Sequence, residues 1–402
     1  MALIHSIIAL ALAALAITGC GFQIIVLLAA ERFFARPAKV PTGAPSINIL
    51  KPLCGAPAGL EEALASFCDQ AWGGPVQILF GIQDEADPAV SIVEELKRLR
   101  PDQDLAIVLA PRRPDENSQI GNPKIANLLA MAPHAKGEIL VVSDADILAP
   151  AGYLAALLAE LEAPDVGAAS GFYFGAPRVE TGGGIAARLA ALEITTRFLP
   201  NAVFSAVSGL AQPCMGSAIA LRRETLAAIG GFEALGGLLA DDFELGAAVR
   251  RRGLRLAWPP RLLGHLCVET SLREVFGHEL RWARTIRRID PAGHSGSLIS
   301  HPFALALLAA FFAGFSPWSL VLLAVALLLR WMAKWRMERI AGIAAGPAWL
   351  LPLGDVLSLM VFIASFAGGQ VAWRGRRLSV DAEGRLSAPN SDASTSAQKG
   401  PI

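Results

Sequence analysis

The stretch that decides the fold reads ILVVSDAD and covers residues 139–146. Its first four residues are all β-branched or leucine, which is typical of a strand buried on both faces of a sheet. Asp144 and Asp146 follow this predicted strand directly. In open α/β sheets, ligands bind at the carboxyl ends of the strands. We therefore predict that both carboxylates lie at the ligand-binding edge of the sheet.

The residues before this stretch alternate short apolar runs with helical patterns. The predicted order is strand 47–53, helix 59–70, strand 76–83, helix 88–99, strand 105–110, helix 123–131 and strand 138–143. Such a βαβα order predicts a mainly parallel, Rossmann-like sheet covered by helices on both faces. We predict an α/β domain over residues 46–300.

The N-terminal segment is apolar enough to cross a membrane. The 402-residue chain is 53% hydrophobic and 17% charged, and residues 1–30 contain no Asp, Glu, Lys or Arg. A spanning helix needs about 20 apolar residues, so we predict a transmembrane anchor within residues 1–40. A cleaved signal peptide is the alternative, but residues 1–6 lack the basic segment that signal peptides carry. Basic residues at 32, 36 and 39 place the following domain in the cytoplasm by the positive-inside rule.

Two further apolar runs lie near the C-terminus. Residues 302–329 are uncharged, and residues 340–373 contain one charge, Asp355. We predict transmembrane or re-entrant segments over residues 302–375 and a disordered tail over residues 376–402. For residues 302–329, the sequence is compatible with one long tilted helix and with a hairpin of two short segments. We expect Asp355 to be interfacial or to cap a helix.

Charge and cysteine content exclude several classes of protein. Lys plus Arg and Asp plus Glu both number 35, so the net charge is zero. This composition argues against a disordered chain and against a nucleic-acid partner, which normally requires a basic surplus. The five cysteines contain no CxxC pair, which excludes a disulfide-dense secreted scaffold.

Four residues at predicted strand ends or helix starts are candidates for binding a ligand. Asp144 and Asp146 can share a hard divalent cation with a phosphate, although paired aspartates also occur as turn residues. Asp84 follows the strand at 76–83 and can accept hydrogen bonds from a base or sugar, while an N-cap role suits Asp87 better. Lys124 stands beside a helix start, where a phosphate binds well, although a solvated surface lysine is the alternative.

Two later motifs are candidates for catalysis. Asp241 and Asp242 open a predicted helix. The helix dipole alone explains acids there, but one of them could be a general base facing an acceptor hydroxyl. The motif HELRW covers residues 278–282. Arg281 can neutralise phosphate, and Trp282 can form one wall of the site that binds the acceptor substrate. The alternative explanation of this motif is a cationic helix that lies on the membrane surface.

The order of these motifs resembles the membrane-bound glycosyltransferases of the ceramide glucosyltransferase type, which have a GT-A fold. The matching stretches are Ile49–Leu53, Gln83–Pro88, Asn122–Lys124, Ser143–Asp146, Asp241–Phe243 and Arg281–Trp282. Four further stretches are similar to the hopanoid biosynthesis-associated glycosyltransferases, namely Ser66–Cys68, Phe80–Asp84, His278–Arg287 and Asp290–Gly293. The resemblance covers about residues 1 to 330.

The resemblance implies a chemical reaction and the residues that carry it. It implies an inverting, metal-dependent transfer of N-acetylglucosamine from a UDP-sugar to a hydroxyl of a membrane lipid, a hopanoid polyol. The residues implied to bind the nucleotide are Pro52, Asp84, Lys124 and Asp144, and those implied to hold Mg²⁺ or Mn²⁺ are Asp144 and Asp146. The implied catalytic residues are Asp242, Arg281 and Trp282.

Two choices within the catalytic set follow from the family pattern. Asp242 is preferred to Asp241 as the base because the family has its Asp before an aromatic residue, here Phe243. His278 stands where the wider family has Gln or Arg, so no role is carried over to it. The expected location is the inner membrane, with several crossings and the catalytic domain on the cytoplasmic side.

Other functions stay open. A ceramide glucosyltransferase using UDP-glucose would have the same chemistry with a different lipid. A processive polysaccharide synthase would need more membrane spans, and a non-enzymatic transporter would distribute its spans along the chain. Because each CH₂ of a lipid exposed to water costs about 0.8 kcal/mol, the acceptor site must face the bilayer. We therefore predict that 198–210 and 272–289 lie on the membrane surface and frame the lipid entry.

Overall fold

The computed structural model describes residues 1–110, 122–179, 184–238 and 240–367, together with the backbone of three short strands between 370 and 387. Its strands in chain order are β1 (Ile47–Pro52), β2 (Val76–Ile82), β3 (Asp104–Leu109), β4 (Ile139–Val142), β5 (Ile147–Leu148), β6 (Val166–Ser170), β7 (Tyr173–Pro177), β8 (Ile219–Arg222), β9 (Arg255–Ala257) and β10 (Leu263–Cys267). Seven of them form one sheet in the order β3-β2-β1-β4-β8-β6-β9, and β5-β10-β7 form a second.

The main sheet is mostly parallel, as the sequence predicts. Strands β1 to β4 all run parallel to one another. Only β8 reverses direction, since it is antiparallel to both β4 and β6, whereas β9 runs parallel to β6. The predicted α/β fold class with apolar helices at both ends is therefore confirmed.

The central strand β4 is buried on both faces, which explains its uninterrupted apolar sequence. Ile139 and Val141 belong to the hydrophobic cluster on one face of the sheet. Leu140 and Val142 belong to the cluster on the opposite face. Successive side chains of a strand point to opposite faces, so each face takes two of the four residues.

The helices of the central region cover both faces of this sheet. In chain order they are α2 (Leu60–Cys68), α3 (Ala89–Leu99), α4 (Pro123–Met131), α5 (Tyr153–Leu161), α6 (Gly184–Glu193), α7 (Leu199–Ser208), α8 (Arg223–Ala228), α9 (Asp241–Arg251), α10 (Leu272–Ile289) and α11 (Pro291–Gly296). A π-helical turn, Ile194–Phe198, joins α6 to α7. Helix α4 begins where the sequence predicts, because the Asn122 side chain accepts from the backbone N–H of Lys124 at 2.9 Å.

The apolar runs near the two ends of the chain form helices. They are α1 (Ala2–Phe34), α12 (Pro302–Phe312), α13 (Pro317–Ala341) and α14 (Leu351–Ser365). Among the described residues, three helical segments are long and apolar enough to cross a membrane, Ala2–Phe34, Pro317–Ala341 and Ala348–Ser365. A fourth candidate is the pair Pro291–Ser300 and Pro302–Phe312, which is bent by 65°.

The run at 302–329 forms two helices, so a single long helix is wrong. The chain turns at Gly314, whose φ is +61°, a conformation that glycine adopts without a steric penalty. Helix α13 then continues past the apolar run to Ala341. The two helices pack against each other and against α1.

Asp355 does not cap a helix. It lies inside α14 and is 2% exposed, and its two carboxylate oxygens accept hydrogen bonds from Arg330 Nε at 2.8 and 2.9 Å. Arg330 also donates to the backbone oxygen of Thr196 in the π-helical turn, at 3.1 Å. The capping prediction failed because Arg330, the partner of Asp355, comes from a different helix, α13.

Part of the predicted tail forms strands. The backbone of β11 (Gln370–Trp373), β12 (Arg376–Val380) and β13 (Leu386–Ser387) makes a three-stranded antiparallel sheet. Residues 388–402, where the sequence predicts disorder, lie outside the described residues. The predicted membrane-surface segments are helical, and α7 packs on α1 while α10 packs on α14.

Candidate active site

The two aspartates of the deciding stretch lie in the link between β4 and β5, at the carboxyl edge of the sheet. The backbone N–H of Asp144 donates to the Gly216 oxygen at 3.1 Å, and the Asp146 oxygen accepts from the Leu266 N–H at 2.9 Å. The loop before β8 and the strand β10 therefore hold this link from two sides. The carboxylates themselves are open, with side chains 40% and 42% exposed.

Lys124 joins two acidic side chains of the site. Its Nζ lies 2.9 Å from Asp144 Oδ1 and 3.0 Å from Asp241 Oδ2. Burial alone would lower the pKa of Lys124, but the nearby carboxylates raise it well above its ordinary value. The lysine is 12% exposed. In this geometry its charge is already matched by protein carboxylates.

Asp241 and Asp242 point to different partners, although they are neighbours at the start of α9. Asp241 faces Lys124, whereas Asp242 Oδ2 accepts from the Gly216 N–H at 2.9 Å and Oδ1 from the Phe243 N–H at 2.8 Å. Burial, with the charge of Asp241 as the next cause, raises the pKa of Asp242 to about 6. A general base works best when its pKa is near the operating pH.

Gly216 is the point where these groups meet. A Cβ on this residue would lie 2.8 Å from Asp144 Oδ2 and 2.9 Å from Lys124 Nζ, which is closer than side chains pack. Its backbone also bonds to Asp144 and to Asp242. Any side chain here would displace the charged groups, so the close approach requires glycine.

His265 is a site residue for which the sequence offers no signal. It lies on β10 opposite Ile147 of β5, and its Nε2 is 3.5 Å from Asp146 Oδ2. Its Nδ1 is buried and has no hydrogen-bond partner among the described residues. In the sequence it lies within the apolar strand LGHLC, and only the pairing of β5 with β10 brings it to Asp146.

A divalent cation at this edge of the sheet would have the carboxylates of Asp144 and Asp146 as its protein ligands. Among the described residues, no group of three or more His, Cys, Asp or Glu side chains is arranged to hold a metal ion. Mg²⁺ is commonly bound by one or two carboxylates, with substrate phosphates and waters as its other ligands. The two open carboxylates of Asp144 and Asp146 fit that kind of site.

Lys51 is a second site residue to which the sequence assigns no role. It is fully buried, and its Nζ donates to Ser143 Oγ at 3.0 Å and to the backbone oxygen of Asp144 at 2.9 Å. The ammonium also lies 3.5 Å from the centre of the Phe67 ring. Burial lowers the pKa of Lys51 to about 7. Its signal in the sequence is the single charge of a strand whose other residues are apolar except for Asn48.

Helix α10, which contains the HELRW motif, contributes two rings to a cluster that we call the ring wall, formed by His278, Trp282, His265 and Phe198. His278 and Trp282 have ring centres 4.5 Å apart, and Trp282 lies 6.1 Å from both His265 and Phe198. The structure therefore places Trp282 beside the residue that faces Asp146. Arg281 lies next to it on α10 and is half-buried.

The predicted nucleotide-binding residues Pro52 and Asp84 lie at the ends of neighbouring strands. Pro52 ends β1 and is buried, while Asp84 follows β2 and is exposed. The Asp84 carboxylate accepts from the Ala86 N–H at 2.9 Å. Asp87 accepts from the N–H groups of Ala89 and Gly55, so it binds the first N–H of α3, whose N-cap position is Pro88.

A mostly parallel α/β sheet with charged groups at its carboxyl edge, joined to helices that could span a membrane, is the architecture of a membrane-associated α/β enzyme. The family model described as Glycosyl transferase family 21 matches residues 11–386. The chain belongs to this family, and the protein is a glycosyltransferase.

Several known proteins are similar to this chain. A ceramide glucosyltransferase from Candida albicans is 30% identical over 114 residues, which are 27% of this chain and 21% of that protein. The chain thus matches about a fifth of the length of this curated relative. A mannosyltransferase from Pyrobaculum calidifontis, solved with GDP-Man and Mn²⁺, is 22% identical, with a TM-score of 0.49 over 90% of this chain and 99% of that chain. A glucosyl-3-phosphoglycerate synthase from Mycobacterium tuberculosis, solved with Mn²⁺, UDP and phosphoglyceric acid, is 16% identical, with a TM-score of 0.35 over 66% and 78%.

Proposed function

We propose that this glycosyltransferase moves a sugar from a UDP-sugar to a hydroxyl of a membrane lipid, with inversion at the anomeric carbon and with a divalent metal. The observation that carries the proposal is the meeting of Asp144, Lys124 and Asp242 around Gly216 at the carboxyl edge of the sheet. The chain that builds this edge also has apolar helices at both ends, which suits an acceptor that stays in the bilayer.

The donor binds along the carboxyl edge. The uridine lies near Pro52 and Asp84, and Mg²⁺ or Mn²⁺ is held by Asp144 and Asp146. A bound metal supplies Lewis-acid stabilisation of the departing diphosphate. Lys124 holds the carboxylates of Asp144 and Asp241 in place beneath the nucleotide.

Asp242 is the general base. It takes the proton of the lipid hydroxyl while that oxygen attacks the anomeric carbon, and the bond between this carbon and the UDP oxygen breaks in the same step. The N–H groups of Gly216 and Phe243 fix the carboxylate in one orientation. One base and no covalent intermediate give inversion. Arg281 and Trp282 close over the diphosphate and the acceptor.

The acceptor enters from the membrane side. The ring wall includes Phe198 and Trp282, and the elements that carry these rings pack against α13 and α14. A hopanoid polyol with N-acetylglucosamine as the donor sugar is our leading pair. Ceramide with UDP-glucose is the second candidate, which the matched segment of the Candida enzyme favours. We place the enzyme in the inner membrane with its catalytic domain in the cytoplasm.

The test is direct glycolipid synthesis by the full chain in detergent. UDP-N-acetylglucosamine or UDP-glucose is supplied with a hopanoid polyol or with ceramide, and products are followed by mass spectrometry. Asp242→Asn should lower turnover by about 10²- to 10⁴-fold. The matched control is Glu244→Gln in the same first turn of α9, which should keep turnover.

Three results would contradict parts of the proposal. Full turnover in Asp242→Asn would remove the base assignment. Turnover in a metal-free chelator buffer would remove the metal role of Asp144 and Asp146. A product formed from ceramide and never from the hopanoid polyol would replace the leading acceptor.

A further inference from the structure

Lys51 supplies a hydrogen bond where the pairing of β1 with β4 ends. The two strands pair from Ile47 to Leu50, and the partner of Leu50 is Val142. Backbone groups inside a protein need hydrogen-bond partners, so the link that follows β4 requires other donors. Lys51, the next residue of β1, donates from Nζ to the backbone oxygen of Asp144 at 2.9 Å. A side chain here takes over the role of a neighbouring strand.

Lys51 lies in surroundings that are unusual for a lysine. It is fully buried, although lysines are almost never fully buried unless they are paired. Its contacts include the Ser143 hydroxyl at 3.0 Å, the Asp144 backbone oxygen and the Phe67 ring. A methionine would fill the same space without a polar group to bury. The role of this side chain therefore lies in the two hydrogen bonds that it donates, which an ammonium and a neutral amine can both make.

The amine belongs to a closed ring of hydrogen bonds. Ser143 Oγ donates to the Ser217 backbone oxygen at 2.7 Å, and because a hydroxyl has one hydrogen, this Oγ can only accept from Lys51. Ser217 follows Gly216, whose backbone oxygen accepts from the Asp144 N–H at 3.1 Å. The backbone of Asp144 is thus held at its N–H by Gly216 and at its oxygen by Lys51. The hydroxyl of Ser143 ties these two anchors to each other.

We propose that Lys51 is a positioning residue for the divalent metal. It holds the backbone of Asp144, and with it the carboxylate, in the orientation that binds the cation. The other carboxylate has its own anchor, since the Asp146 backbone oxygen accepts from the Leu266 N–H at 2.9 Å. Because Lys51 has no exposed surface, it acts through Asp144 and touches neither metal nor substrate. The inference rests on the proposed function, which places the metal at Asp144 and Asp146.

The exposure of the two carboxylates explains why such an anchor matters. The side chains of Asp144 and Asp146 are 40% and 42% exposed, so packing alone does not fix them. Lys124 restrains the Asp144 carboxylate itself, whereas Lys51 fixes the backbone from which that carboxylate projects. The direction of the carboxylate therefore depends on the backbone bond to Lys51.

The experiment measures Mn²⁺ binding to the full chain in detergent, in the presence of saturating UDP. Free Mn²⁺ is quantified by its electron paramagnetic resonance signal, which does not require turnover. Lys51→Met keeps the length of the side chain and removes both hydrogen-bond donors. It should weaken Mn²⁺ binding about 10- to 100-fold, the usual effect of removing a group that orients a metal ligand.

Ile47→Ala is the matched control for a general loss of stability. Ile47 is buried and lies on the same strand as Lys51, at its amino end. The cavity left by this change should lower the melting temperature and leave the affinity for Mn²⁺ as in the wild type. Each titration is run below the melting temperature of the variant, so that folded proteins are compared.

Lys51→Gln tests the same contact with a smaller perturbation and serves if Lys51→Met does not fold. Its amide can still donate a hydrogen bond, but from a side chain that is one bond shorter. Its affinity for Mn²⁺ should therefore lie between those of the wild type and Lys51→Met. An affinity equal to that of the wild type would contradict the positioning role.

The remaining outcomes separate this inference from the proposed function. Wild-type affinity for Mn²⁺ in Lys51→Met would overturn the inference, and so would an equal loss of affinity in Ile47→Ala. Wild-type protein that binds no Mn²⁺ in the presence of UDP would instead overturn the metal role in the proposed function, and the inference with it.

Discussion

Replacing Lys124 by methionine tests whether one cation holds the acidic site together. The change keeps the length of the side chain and removes an ammonium that lies 2.9 Å from Asp144 and 3.0 Å from Asp241. Removing one partner of a buried ion pair costs about 3–5 kcal/mol, because the remaining charge is left unpaired. Asp241 is 13% exposed, so this range applies to it. Water screens Asp144, which is 40% exposed, and its share is small.

The expected effect is a loss of about 3 kcal/mol in the free energy of unfolding. At 2–4 °C per kcal/mol for a domain of this size, the melting temperature falls by roughly 6–12 °C. The measurement is thermal unfolding of the detergent-purified chain. Lys97→Met is the matched control, because Lys97 forms an exposed pair with Glu94, and such pairs contribute about 0–1 kcal/mol.

A second variant separates charge from packing. Lys124→Met with Asp241→Asn removes the unpaired charge and keeps the oxygen that accepts from Asn122 at 3.3 Å. It should recover a large part of the lost stability. A wild-type melting temperature in the single variant, or no recovery in the double variant, would refute the reasoning.

Three further predictions follow from groups described above. The kcat/KM of the wild type should fall about tenfold per pH unit below pH 6, because the pKa of Asp242 is about 6 and the protonated acid cannot act as a base; a flat profile down to pH 5 would contradict this. Gly216→Ala should lower turnover about 5- to 150-fold, since overpacking costs about 1–3 kcal/mol, whereas Gly277→Ala, whose Cβ would meet nothing within 4 Å, should keep turnover in the same assay. Arg330→Met should destabilise the chain by about 3–5 kcal/mol in thermal unfolding, and adding Asp355→Leu should restore it to near wild type; equal stability of single and double variants would be the contrary result.

The sequence predicts the sheet because its signals are local. Four apolar residues in a row identify β4, and Asn122 with Pro123 identifies the start of α4 to the residue. The order of the motifs along the chain also leads to the family that the comparison confirms. These features depend only on neighbours in sequence.

The contacts of the site are long-range, which is why the sequence leaves them out. The sequence predicts Lys124 as a nucleotide-binding cation, and only the fold shows that α9 also brings Asp241 to its Nζ. His265 reads as a core residue until β10 pairs with β5. Asp355 reads as a cap because its partner lies on another helix, at Arg330. Each of these pairings depends on the register of strands or the packing of helices.

The bond from Arg330 to Thr196 has a practical consequence for protein production. The guanidinium donates to both the backbone oxygen and the hydroxyl of Thr196, at 3.1 Å each, and Glu193, which is 2% exposed, lies 4.0 Å away. A truncated chain ending near residue 300 would lose this arginine and leave the carboxylate of Glu193 with one cation fewer. Such a cut would also expose the surface that α13 and α14 now cover. A truncated version of the enzyme therefore calls for redesign of that surface, beginning with Glu193.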